Sequence, residues 1–279
     1  MKRFNLSKAP VGMKKYLSFF KIRFIAGLSY RSAAWAGVFT QFGWGFMTVL
    51  MFKAFYESSP ESFPILFSSL SSYIWLQQAL LAMFMFWFFD GEIFDSITSG
   101  GIAYELCRPC GLYAMWFVKN MAARLSNAAL RSVPILLVAV FLPKPYGISP
   151  PDGILSAVLF LISLILGFLV LITLSMLIYI SAIYTLSSAG VRILATSAVE
   201  FLSGAIIPIP FFPDGLRAVI ELTPFAAMQS TPFLIYSGHI DGDKAVFLIG
   251  VQLVWLAALM IAGRILMRRA LKRVIVQGG

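Results

Sequence analysis

The chain has 279 residues, of which 59% are hydrophobic and only 12% are charged, and its mean hydropathy is +0.86. A soluble globular domain carries about 25% charged residues, so this composition excludes an ordinary soluble fold and indicates a membrane protein. The net charge of +10 requires no nucleic-acid partner, because basic residues beside membrane spans face anionic lipid.

Six apolar stretches approach or exceed the roughly 20 helical residues that a bilayer crossing takes. They lie at residues 32–55, 65–89, 116–142, 154–184, 193–207 and 245–266. The expected fold is therefore an all-α polytopic membrane protein with six transmembrane helices, forming a single transmembrane domain over residues 1–279.

Before the first span, residues 11–28 place apolar side chains on one helical face and lysines on the opposite face. The apolar positions are Met13, Leu17, Phe20, Phe24 and Leu28. This pattern predicts an amphipathic helix lying in the headgroup region, so residues 1–31 are interpreted as a cytosolic elbow. The helix is either a plain membrane anchor or an anchor that also packs against a cytosolic partner.

The most polar interior segment, residues 90–115, lies between the second and third spans and is called the polar loop below. Acidic residues open it and paired glycines follow: Asp90, Glu92, Asp95, Gly100 and Gly101. The segment is too polar for lipid and too short for a separate domain, which favours a loop that contacts another protein. Its Cys107 and Cys110 form a lone C-x-x-C, which is interpreted as incidental because zinc usually needs four ligands and redox motifs need a βαβ context.

Basic residues are concentrated in the two tails, whereas the loops after the first span and before the last are acidic. Positively charged segments next to spans stay on the cytosolic side. We therefore expect both termini and the polar loop to be cytosolic, which is consistent with an even number of spans.

The third and fifth spans carry charged residues away from their ends, where such residues are rare in membranes and often functional. Polar side chains recur at helical spacing near the start of the third span: Asn120, Arg124, Asn127 and Arg131. They are interpreted either as residues that snorkel to the cytosolic interface or as the lining of a cytosolic access path. In the fifth span, Arg192 and Glu200 are interpreted as an ion pair, with a gate or a substrate contact as the alternative.

The fifth span runs into a proline-rich segment, residues 208–224. Proline removes a backbone donor and breaks a helix, and broken backbone at membrane depth must be covered by protein or by a water-filled cavity. The segment is therefore predicted to form a re-entrant hairpin on the outer side. The positions that define it are Gly204, Pro208, Pro213 and Pro224.

Several kinds of chemistry lack their motifs in this sequence. There is no G-x-x-x-x-G-K-[ST] nucleotide-binding motif, and the single histidine, His239, has no histidine partner for a metal site. An ion-coupled secondary transporter or a membrane-embedded enzyme remains an alternative, but either would be expected to carry more intramembrane ionisable residues.

Two motifs resemble the permease subunits of ABC-2 type exporters. The first is I-x-x-G-G-I-x-x-x-L-x-R-P over residues 97–109, similar to that family's loop between its second and third spans. The second is S-G-A-I-I-P over residues 203–208, followed by prolines before the last span. Their order within a six-span chain extends the resemblance over nearly the whole sequence.

The resemblance implies a permease in a prokaryotic plasma membrane that exports a substrate such as a drug, antibiotic, lipid or other amphiphile. It also implies a partner: the polar loop would dock on separate ATPase subunits, two copies of which bind ATP and magnesium while this chain binds no cofactor. A second permease, the same chain or a related one, would complete the transporter. The implied docking positions are Glu92, Ile97, Gly100, Gly101, Ile102, Leu106, Arg108 and Pro109.

Overall fold

The computed structural model describes residues 11–185 and 189–273, which contain thirteen α-helices and no β-strand. The all-α prediction is thus confirmed. In chain order the helices are α1 (Val11–Gly27), α2 (Arg31–Ser58), α3 (Phe67–Ala79), α4 (Leu81–Phe84), α5 (Gly91–Thr98), α6 (Ile102–Leu106), α7 (Leu112–Phe141), α8 (Gly153–Ala182), α9 (Ala189–Leu202), α10 (Asp214–Glu221), α11 (Pro224–Met228), α12 (Ser230–Tyr236) and α13 (Gly242–Leu271).

Within the part of the chain that the structure describes, three helices are long and apolar enough to cross a membrane. These are α7, α8 and α13, each with 30 residues, or about 45 Å of helix. Helix α2 has 28 residues and exposes large apolar side chains such as Trp35 and Phe39. The remaining two predicted spans are not single long helices, so the count of six stays a prediction.

The second predicted span, residues 65–89, is interrupted. Helix α3 has 13 residues, α4 has four, and the chain leaves helical geometry after Phe84. Nothing in this apolar run breaks a helix by itself, since it has neither glycine nor proline after residue 64. The cause lies in a contact from α7 that is described below.

The fifth predicted span, residues 193–207, corresponds to a short helix that begins and ends earlier in the chain. Helix α9 has 14 residues, or about 21 Å, which is less than the roughly 30 Å of a hydrocarbon core. It ends near Gly204, whose φ of 80° is left-handed and favours glycine. A 3-10 turn at Ile209–Phe211 and helix α10 follow. Residues 208–224 lead into α11 and α12, most of whose residues are buried, and a re-entrant hairpin in this segment stays a prediction.

Helix α8 lies at the centre of the bundle, where α7, α11, α12 and α13 pack against it. The approach of α11 is so close that a Cβ at Gly167 of α8 would overlap the carbonyl oxygen of Met228. Gln252 of α13 supports the same contact, because its amide nitrogen donates to the carbonyls of Ser163 and Ala227 at 3.0 and 2.8 Å. Helix α1 packs along α7, and these two helices position the polar loop.

Candidate functional site

The polar loop begins at Asp90, which caps helix α5. Its carboxylate oxygen accepts a hydrogen bond from the backbone N–H of Glu92 at 2.9 Å, an N-capping contact that satisfies one of the free donors of a helix start. The backbone N–H of Asp90 itself donates to the hydroxyl of Tyr179, on α8, at 2.7 Å. The start of the loop is thus fixed to the central helix.

A cluster of four charges joins α5 to two other helices. The ammonium of Lys119, on α7, is buried and lies 3.1 Å from Asp90 and 2.7 Å from Glu92. Arg23, on α1, lies 3.1 Å from the same oxygen of Glu92. The hydrogen bond and the charge of Lys119 lower the pKa of Glu92 below its ordinary value. Because a buried lysine is costly unless it is paired, this cluster fixes the position of α5.

Arg124 explains the interruption of the second span. Its guanidinium is wholly buried and donates to the carbonyls of Met85 and Phe88, both at 2.7 Å. Its Nε also donates to the side-chain oxygen of Asn120 at 2.8 Å, and the amide of Asn120 donates to the hydroxyl of Ser175 at 2.6 Å.

These contacts supply what a broken helix needs. The last carbonyls of a helix have no partner within it, and in an apolar interior each unpaired carbonyl is costly. One guanidinium has several N–H donors, so it can pair with several carbonyls at once. Arg124 therefore neither snorkels nor lines an open path; it holds residues 85–88 in their extended course towards the polar loop.

The end of the polar loop is held by helix α1. The hydroxyl of Tyr16 accepts the backbone N–H of Gly111 at 3.0 Å, and Lys15 donates to the carbonyl of Pro109. The indole of Trp116, on α7, donates to Glu105 of the loop at 2.6 Å. Helix α1 thus contacts the loop at both its beginning and its end, which goes beyond the role of a plain anchor.

The predicted docking positions divide into exposed and buried residues. Ile102 is buried and Ile97 is half-buried against the core, so both hold the loop in place. Gly101 is half-buried as well, and Gly100 has a φ of 75° that suits glycine. The exposed positions are Glu92, Gly100, Leu106, Arg108 and Pro109.

One exposed residue was missed by the sequence analysis. Tyr104, at 82% exposure, is the most exposed large hydrophobic side chain of the loop. It lies two positions after the buried Ile102, and two helical positions are about 200° apart, so the helical phase would have placed it outside. Residues 98–109, which include Tyr104, are called the loop tip below.

The remaining polar candidates are dispersed. Arg131 lies against Gly37 of α2, and its Nε has no acceptor among the described residues; Asn127 is half-buried on the same helix. The two loop cysteines are free thiols, with Cys107 exposed and Cys110 half-buried.

The interpretation of Arg192 and Glu200 as an ion pair is wrong. The ion pairs within residues 11–185 and 189–273 do not include one between them, because eight residues of helix separate them by about 12 Å. The guanidinium of Arg192 instead lies over the rings of Phe89 and Phe94.

The positions of the predicted hairpin mark turns. The carbonyl of Gly204 accepts the hydroxyl of Tyr73 at 3.0 Å. Pro208 is buried before the 3-10 turn, Pro213 is exposed before α10, and Pro224 begins α11.

No curated protein matches the chain. The model of a protein family described as "ABC-2 family transporter protein" matches residues 42–278, which include the whole polar loop and all helices after α2. This match agrees with the apolar helices and with the resemblance of the two motifs. The chain belongs to the ABC-2 transporter family and is a membrane permease component of an ABC transporter.

Proposed function

We propose that this chain is the permease subunit of an ATP-driven exporter in a prokaryotic plasma membrane, and that the polar loop receives the motion of separate ATPase subunits. Permeases of this family work with ABC ATPase partners in general. The observation that carries the proposal is the contrast within the loop: both of its ends are fixed by α1, α7 and α8, whereas its tip is exposed.

The exposed surface of the loop tip suits a helix-in-groove contact. Such contacts use a short helix with a few apolar anchors and flanking charges. Helix α6 exposes Tyr104 and Leu106, and the exposed Arg108 follows them. A groove with apolar walls and an acidic rim on the ATPase would be complementary to these side chains.

Motion of the tip would pass into the bundle through α5. Displacing α5 displaces Asp90 and Glu92, and with them Lys119 on α7 and Tyr179 on α8. ATP and magnesium bind on the partner ATPase. This chain supplies a helical bundle with two conformations, and nucleotide binding on the partner shifts the equilibrium between them.

Two copies of the ATPase and a second permease, either this chain or a related one, complete the proposed transporter. Both termini and the polar loop would lie in the cytosol, and residues 208–224 would lie at the outer mouth as a lid. In a variant without native cysteines, a cysteine at Glu61 should react with an impermeant reagent from outside and one at Ser99 should not. The reverse pattern would contradict this orientation.

Docking is tested by paired substitutions of equally exposed leucines. Leu106 in the loop tip is 43% exposed and Leu216 in α10 is 45% exposed. Leu106→Asp should abolish co-purification with the ATPase and substrate-dependent ATP hydrolysis, because a carboxylate is placed where an apolar anchor is needed. Leu216→Asp should leave co-purification with the ATPase unchanged, because Leu216 lies outside the polar loop. Retention of the ATPase by Leu106→Asp, or its loss from both variants, would refute the docking surface.

A further inference from the structure

A cavity of about 360 Å³ lies where the extended residues after α4 meet the start of α9. Its lining combines aromatic rings, one cation and two hydroxyls: Trp87, Phe89, Ala189, Arg192, Ile193, Thr196 and Ser197. This composition differs from the exposed face of a helix such as α2, which carries mainly large apolar side chains. A volume of this size accommodates the head group and first carbons of an amphiphile.

The cation of this cavity is fixed in place but not neutralised. The guanidinium of Arg192 lies 5.4 Å from the ring centroid of Phe89 and 5.0 Å from that of Phe94. Aromatic faces attract a guanidinium and orient it, but they carry no charge. No carboxylate within the described residues pairs with Arg192.

Two further groups in the cavity complement an anionic ligand with an apolar part. Thr196 lies one helical turn after Arg192, so its side chain lies on the same face of α9. Trp87 is 48% exposed although Phe86 beside it is buried, which leaves an indole ring at the cavity wall. A hydroxyl next to a guanidinium suits phosphate or carboxylate oxygens, and the indole suits an alkyl chain or a flat ring.

We propose that this cavity binds the anionic head group, phosphate or carboxylate, of an amphiphile, and that Arg192 is the residue that binds this group. The binding site is independent of the direction of transport, but the inference that its occupant is transported rests on the proposed function. Phe94 belongs to α5, so an occupant that alters the stacking of Arg192 acts on the same helix through which the ATPase would act.

The test uses the full chain in nanodiscs of phosphatidylcholine and a pair of photoreactive probes with the same alkyl chain. One probe ends in a phosphate and the other in a neutral sugar. Mapped crosslinks of the phosphate probe should fall on residues 85–89 and 189–197. Arg192→Gln should weaken its binding by roughly tenfold or more, since a hydrogen bond to a charged group is lost. Lys21→Gln, which removes an exposed cation of α1, is the matched control and should change nothing.

Equal crosslinking of both probes, or unchanged binding in Arg192→Gln, would overturn the site. The source of the head group is distinguished by two additions. Competition by phosphatidylglycerol without any effect of ATP identifies a bilayer lipid as the occupant. Loss of the crosslink on adding MgATP to the complex with ATPase subunits identifies a transported substrate. If the chain binds the phosphate probe but associates with no ATPase subunit, the site is retained and only the proposed function is refuted.

Discussion

Replacing Arg124 with methionine should loosen the segment between α4 and α5 without unfolding the bundle. The substitution keeps an unbranched side chain but removes the donors that reach Met83, Met85, Phe88 and Asn120. The bond to Met83 is long, at 3.3 Å, so three hydrogen bonds of 2.8 Å or less are lost. At about 1 kcal/mol each, the low end of the usual range because the cost of burying the guanidinium also disappears, the segment loses about 3 kcal/mol.

The measurement is hydrogen exchange of backbone amides followed by mass spectrometry, on protein in nanodiscs. A loss of about 3 kcal/mol corresponds to exchange that is roughly 100-fold faster, and it should be confined to residues 85–98. Helix α13 should keep its protection, because none of the hydrogen bonds of Arg124 involves it.

Arg131→Met is the matched control, since it removes a second arginine of α7 whose Nε finds no acceptor among residues 11–185 and 189–273. It should leave exchange at residues 85–98 unchanged. Wild-type protection of these residues in Arg124→Met would refute the assignment of Arg124 as the residue that holds the extended segment. Equal loosening in both variants would refute it as well, because the effect would then follow from any lost charge on α7.

Two further predictions concern the pH dependence of the loop and the packing of the core. The pKa of Glu92 is lowered from 4.5 in the folded protein, so the contribution of Glu92 to holding α5 is present above about pH 4.5 and is lost as the pH falls through the lowered pKa. Fluorescence transfer between a label in α1 and one at Ser99 should change over the same pH range. An equally large change in Glu92→Gln would contradict this prediction. Gly167→Ala should lower the thermal unfolding temperature, because the added Cβ would overlap the carbonyl oxygen of Met228. Gly250→Ala, in open space on α13, should leave the unfolding temperature unchanged or raise it. Similar unfolding temperatures for the two variants would contradict the close packing of α11 on α8.

Hydropathy and charge predicted the helical class, the polar loop and the helix before the first span. These features depend on composition within one stretch of chain, which is what a sequence pattern records. The interruption of the second span could not be predicted in this way. It is caused by Arg124, which lies 39 positions from Met85 in the sequence. No residue within the apolar run itself indicates the interruption.

One error and one omission in the candidate site could have been avoided by applying helix geometry more strictly. The proposed Arg192–Glu200 pair ignored the rise of 1.5 Å per residue, and the omission of Tyr104 from the docking positions ignored the rotation of 100° per residue. The contacts of α1 with the loop are different, because Tyr16 and Gly111 are 95 positions apart. Only tertiary structure reveals them.

The contacts of α1 limit how the loop can move. A loop held at one end could swing about that end, but this loop is tied to α1 near its start, through Arg23 and Glu92, and near its end, through Tyr16 and Gly111. A force on the loop tip must therefore either break these contacts or carry α1 with it. Since α1 packs along α7, moving it also displaces a long apolar helix. If the proposed function holds, we expect α1, α5, α6 and the adjoining end of α7 to move together, and a variant that separates α1 from the loop should uncouple ATP hydrolysis from transport.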